Sequence, residues 1–149
     1  MAGVPEVIYI VDLAAVGVFA ISGALAAAER HLDILGFVLF GTVTGIGGGT
    51  VRDLLLAADQ VFWIADTRYL WIAILVSVAS WFLGPLFHSL HKLLLWADAL
   101  GLSLFCVLGG SKAIEYGVPP IVAVVLGVMT ATFGSLIRDT LLNREPVLL

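Results

Sequence analysis

The chain has 149 residues, of which 61% are hydrophobic and 12% charged, with a formal net charge of −4. A soluble domain is about 45–50% apolar and about 25% charged, so this composition, with a mean hydropathy of +1.12, excludes an ordinary soluble globule and indicates an integral membrane protein. Seven basic residues scattered singly make no nucleic-acid footprint, and the lone Cys106, in an apolar run, excludes an internal disulfide and reads as a small buried hydrophobe.

A bilayer core needs about 20 apolar residues per helix. The first such stretch covers residues 7–28 and ends at Glu29-Arg30-His31. It has no basic leader and no clear cleavage site, so it reads as a span and not a signal peptide. Asp33 is placed to cap a second span over residues 34–56. That span is followed by a polar connection holding Asp59, Asp66 and Arg68. A third span covers residues 69–87, with Trp71 and Trp81 suited to interfaces. Gly84-Pro85 and the His88, His91, Lys92 group mark its end. A fourth span covers residues 93–110, and Lys112, Glu115 and Gly117 read as a short loop. Pro119-Pro120 opens a fifth span that runs to about residue 142, since proline lacks only a donor that the first turn leaves unused.

The segment Gly41 to Asp53 sets three consecutive glycines, Gly47, Gly48 and Gly49, just before Arg52-Asp53. Adjacent glycines weaken a helix, and unwound backbone in hydrocarbon is tolerated only inside protein or beside a water-filled cavity. A helix break is therefore expected there. An arginine at that depth should face the bundle interior and have a partner. The segment recurs: Thr130 to Asp139, with Gly134, Ser135, Arg138 and Asp139, lies 86 residues on. The same shift carries Asp12 onto Asp98, Phe19 onto Phe105, Gly23 onto Gly109 and Thr44 onto Thr130. This is the mark of an internal duplication.

Three spans per period reverse direction, so the two copies are expected to be inverted, repeat one over about 7–87 and repeat two over about 93–149. The expected fold class is an all-α membrane protein, a single transmembrane domain with five helices visible, helices two and five broken at glycines. The counterpart of the third span would fall beyond Leu149, so the second repeat is expected to be truncated. Leaving aside Arg52 and Arg138, the end shared by the N-terminus carries Arg68 and Lys112, and the other carries Arg30, Lys92 and Arg144, which favours an outside N-terminus.

The candidate site residues follow from the duplication. Gly47, Gly48, Gly49, Gly134 and Ser135 are expected to form the breaks, while Phe133 is bulky enough to narrow one side. Arg52, Arg138, Asp53, Asp139, Asp12 and Asp98 are expected to set the field of a polar pathway. Adjacent helical residues do not face each other, so Arg52 is expected to pair with Asp12 or Asp98 on another span. The competing reading pairs each arginine with its neighbouring Asp53 or Asp139, or lets it snorkel at an interface, and makes both aspartates caps at the membrane surface. Gly17, Gly23, Gly36 and Gly101 read as packing positions. The glycine run lacks the endings of phosphate and dinucleotide loops. His31, His88 and His91 have no metal-ligand spacing, and no nucleophile–base set points to an enzyme or a cofactor.

The segments GIGGGTVRD and ATFGSLIRD, with DLAAVGVFAISG beginning at Asp12, resemble the trimeric intracellular cation (TRIC) channel family in its prokaryotic branch. The resemblance covers nearly all of the chain. It implies seven spans built as two inverted repeats plus a final helix, so that spans six and seven are missing here. It also implies a homotrimer in the prokaryotic inner membrane, with a pore in each protomer along kinked second and fifth helices. The implied partners are potassium or sodium ions and membrane lipid. Ser135 stands where the family usually has glycine. The animal branch's lysine-rich lipid motif is absent apart from Lys112, so phosphoinositide binding is not carried over. The leading expectation is a potassium-permeable channel. The alternatives are a secondary transporter of small amino acids such as glycine, with which prokaryotic relatives have been associated, and a structural or lipid-binding membrane module.

Overall fold

The computed structural model describes residues 4–83 and 90–146. Helices α1 (Val4–Glu29), α2 (Ile34–Leu55), α5 (Leu90–Glu115) and α6 (Pro120–Leu141) are long and apolar enough to cross a membrane. Between them lie a single turn, α3 (Phe62–Ala65), and the shorter α4 (Arg68–Leu83). The expected third span is α4, with 16 described residues; the end expected for it at Gly84-Pro85 and His88 lies outside the described residues.

The caps follow the sequence. Asp33 accepts the Gly36 amide at 2.9 Å, and Pro120 opens α6. Helices α2 and α6 close in the same way. Ala58 N–H reaches the Asp53 carbonyl while Ala57 reaches Leu54, and Arg144 and Asn143 repeat this with Asp139 and Thr140. These are Schellman closures, which need a left-handed residue; Ala57 and Asn143 supply it, each at φ 50°. A left-handed alanine costs about 1–2 kcal/mol, and asparagine tolerates the conformation better. Ala57→Gly is therefore expected to stabilise the protein by about 0.5–1 kcal/mol after glycine's entropy cost, and Asn143→Gly by less. Thermal melts in detergent, with Ala57→Gly above Asn143→Gly, check this order.

The expected breaks are not interruptions of the helices. Both α2 and α6 run continuously through Gly47–Gly49 and Gly134. With no water to take over freed amides, a helix in hydrocarbon keeps its internal bonds even through weak formers. The glycines instead allow close approach. A Cβ on Gly48 would strike the Thr130 carbonyl, and one on Gly134 would strike the Thr44 carbonyl. Since residue 44 meets 134 and residue 48 meets 130, α2 and α6 cross antiparallel.

The same frame holds α1 and α5 in place. A Cβ on Gly23 would meet the Thr44 hydroxyl at 2.6 Å, and one on Gly109 would meet the Thr130 hydroxyl at 2.6 Å. Phe19 and Phe105 stack on each other with ring centres 5.3 Å apart. Each of these contacts joins or matches positions 86 residues apart. Helix α4 packs chiefly on α1 and α2 and also touches α3, burying Tyr69, Ala73 and Ser77. Cys106 is exposed, not buried as expected: on α5 it lies about 100° around the helix from Phe105, at the margin of the buried face.

Candidate functional site: two buried charge clusters joined by a glycine crossing

Arg138, in the last turn of α6, is fully buried. It donates from Nη1 and Nη2 to the two oxygens of Asp98 on α5, 2.9 Å each, and from Nε and Nη2 to Asp139 at 2.7 and 3.0 Å. Ser22 of α1 completes the set: it accepts from Arg138 Nη1 and donates to Asp98. A planar guanidinium clamped bidentately by two carboxylates is the geometry that suits arginine best. Farther out at this end, Glu29 joins Arg144 at 2.6 Å and the exposed His91 at 3.2 Å.

The antiparallel crossing puts Arg52 at the opposite end. Its Nε donates to Asp53 at 2.8 Å, not to a carboxylate on another span. The adjacency rule fails because an arginine side chain is long enough to curl back when both residues of the last turn are buried, as Arg52 and Asp53 are. Asp53 also accepts from the Phe62 amide at 2.8 Å and from Lys112 Nζ at 3.0 Å. The Phe62 ring lies near both cations, its centre 5.7 Å from Arg52 and 5.9 Å from Lys112. Asp12 accepts the Tyr69 hydroxyl at 2.8 Å, while Arg52 and Lys112 act on it electrostatically.

Both aspartates lie more than two turns inside their helices, Asp12 in α1 and Asp98 in α5, so neither is a cap. Asp98 serves Arg138 rather than Arg52. Lys112 is not a loop residue: it lies on α5 and reaches into the Arg52 cluster. Of the glycines, Gly48 and Gly134 form the crossing, while Gly49 admits the Phe62 ring, which an added Cβ would meet at 2.6 Å. Gly47 has room, with Ile137 and Gly134 at 3.5 and 3.6 Å from an added Cβ. Ser135 donates to the Thr132 carbonyl of its own helix at 3.0 Å.

Sequence reasoning missed Ser22, Phe62 and Tyr69. Lys112 had a usable signal, since it follows Gly109 by three residues and so shares its buried face. At the surface, Tyr9 donates to Asp66 at 2.6 Å and Arg68 contributes its amide at 3.0 Å. The Tyr9 hydroxyl first, and then that amide, hold Asp66 below the usual carboxylate range. This latch of α4 onto α1 is therefore complete at neutral pH and weakens only in acid, as Asp66 takes up its proton.

The comparisons bear on this arrangement. A family model described as "Glycine transporter" matches residues 9–85 and 95–149. A UPF0126 membrane protein of Vibrio cholerae is 39% identical, covering 97% of this chain and 61% of its own length. The UPF0126 inner membrane protein YadS of Escherichia coli is 38% identical, covering 95% and 69%. The solved TRIC trimeric intracellular cation channel orthologue from Rhodobacter sphaeroides superposes with a TM-score of 0.93 at 43% identity, over 96% of this chain and 74% of that one. The chain belongs to the prokaryotic TRIC family. A second prokaryotic TRIC channel superposes at 0.90 with 30% identity. This TRIC-family chain is a multi-pass bacterial inner-membrane protein, and it spans about 61% of the length of its Vibrio relative.

Proposed function

We propose that this TRIC-family chain forms the pathway of a monovalent cation channel, permeable to potassium and sodium, in each protomer of a homotrimer. The observation that carries this reading is the antiparallel α2/α6 crossing at Gly48 and Gly134, set between two buried charge clusters. The pathway runs along the crossing on its Gly47 side, where an added Cβ meets only ordinary contacts, and is lined at its ends by the two clusters. Two arginines alone would repel cations, but they are outweighed. Arg138 faces two carboxylates, Asp98 and Asp139, and Arg52 with Lys112 faces Asp53 and Asp12. Formal charge is thus −1 at one end and zero at the other, a field that admits cations. The solved Rhodobacter sphaeroides relative described as a trimeric intracellular cation channel orthologue, at 43% identity, supports this. Helices touch at the crossing, so conduction needs α2 and α6 to shift there. The repeats proposed for this motion are residues 7–87 and 93–149.

A second reading is favoured by the "Glycine transporter" description of the family model. A duplicated, antiparallel frame suits alternating access around a zwitterion equally well. Planar-bilayer recording of the intact protein in potassium chloride, beside uptake of labelled glycine into proteoliposomes, separates the two. Unitary potassium currents without saturable glycine uptake are expected. Saturable uptake with silent bilayers would establish the transporter instead.

A further inference from the structure

The two charge clusters share a backbone frame but not a pairing pattern. Asp98 is clamped by both terminal nitrogens of Arg138. Its counterpart 86 residues earlier, Asp12, takes a neutral hydroxyl from Tyr69. Among the described residues, no cation lies within ion-pair distance of Asp12, although Arg52 is close enough to act on it. Arg52 spends Nε and Nη2 on Asp53, which leaves Nη1 outside that pair.

In the first half the partner of this aspartate comes from α4. That helix packs on α1 and α2 and brings the buried Tyr69 to Asp12. Tyr69 is itself fixed by two aromatic neighbours. Phe62 meets it edge-on at 4.9 Å and Tyr9 at 5.9 Å, and Tyr9 is anchored to Asp66. We propose that Tyr69 is a positioning residue that holds Asp12 off Arg52, and that without its hydroxyl Asp12 closes onto Arg52 as Asp98 closes onto Arg138. Asp53 would remain satisfied, because Lys112 and the Phe62 amide already hold it. Asp12 is the one carboxylate of the four in these clusters not neutralised by an ion pair, so Tyr69 keeps a negative charge available at that mouth. The consequence for conduction rests on the channel reading; the pairing itself does not.

The test is the structure of the intact Tyr69→Phe protein, with potassium currents recorded in parallel. A two-nitrogen contact between Arg52 and Asp12 is expected, matching the one at Arg138. Asp12 remaining apart from Arg52 would overturn the proposal, whatever the protein conducts. At low salt, potassium conductance is expected to fall about threefold, the order expected when an ion pair masks one carboxylate near the mouth. Adding Arg52→Gln should restore it by freeing Asp12; a double variant no better than Tyr69→Phe would also overturn the proposal. If Tyr69→Phe does not fold, Asp12→Asn in the otherwise unchanged protein must lower conductance at least as much, and unchanged conductance there overturns the proposal. Silent wild-type bilayers would remove the channel reading and leave the pairing to be decided by the structure.

Discussion

Gly48→Ala will lower the stability of the folded protein, while Gly47→Ala, one residue earlier, will leave it unchanged or raise it. Alanine is about 1 kcal/mol better than glycine in a helix, and that gain is available at both positions. At Gly47 the added methyl meets only ordinary contacts, 3.5 Å from Ile137. At Gly48 it strikes the Thr130 carbonyl, a backbone atom that cannot rotate aside. Overpacking of this kind costs about 1–3 kcal/mol, and an immovable obstacle puts it at the upper end. Gly134→Ala, facing the Thr44 carbonyl, should behave like Gly48→Ala. Thermal melts of the three variants in detergent check this. A Gly48 variant as stable as the Gly47 variant would show that the helices do not touch there.

Arg138→Ala is expected to cost more than Arg52→Ala. Removing Arg138 takes the cation from Asp98, which is almost fully buried and keeps the Ser22 hydroxyl, and breaking a buried ion pair from one side costs about 3–5 kcal/mol. Arg138→Lys should not rescue it, because an ammonium cannot reproduce a two-nitrogen clamp. Removing Arg52 leaves Asp53 with Lys112 at 3.0 Å and the Phe62 amide at 2.8 Å. The loss is then that of one charged hydrogen-bond partner, about 1.5–3 kcal/mol. Adding Asp98→Asn to Arg138→Ala should recover part of the loss. Chemical denaturation of the series gives the order, and equal costs at both arginines would refute the asymmetry between the ends.

Much of this arrangement was legible in the sequence because hydrocarbon is a strict solvent. Apolar length marked the four long helices, and Asp33 and Pro120 marked two of their starts. The spacing of Asp12, Arg52, Asp98 and Arg138 identified residues that do gather in two clusters. Which carboxylate meets which arginine was not legible. The rule that adjacent helical residues diverge holds for Cβ directions, whereas Arg52 reaches Asp53 with the far end of a long side chain. Phe62 and Tyr69 enter through α3 and α4, whose contacts are tertiary and leave no periodic trace. The glycine run was read by propensity, which weighs a helix alone. Packing decided instead, and it gave Gly48 and Gly49 different neighbours while leaving Gly47 room.

The route past the glycine crossing is best tested by placing a single thiol on it. Gly47→Cys is the site, since an added Cβ meets only ordinary contacts there, in a Cys106→Ser background that removes the exposed native thiol. Potassium currents through the intact protein are recorded in bilayers while a small cationic thiol reagent is applied from either side. Progressive, irreversible block, absent from the Cys106→Ser parent, is the expected result. Steady currents through channels shown by mass spectrometry to carry the modified thiol would place the ion path elsewhere.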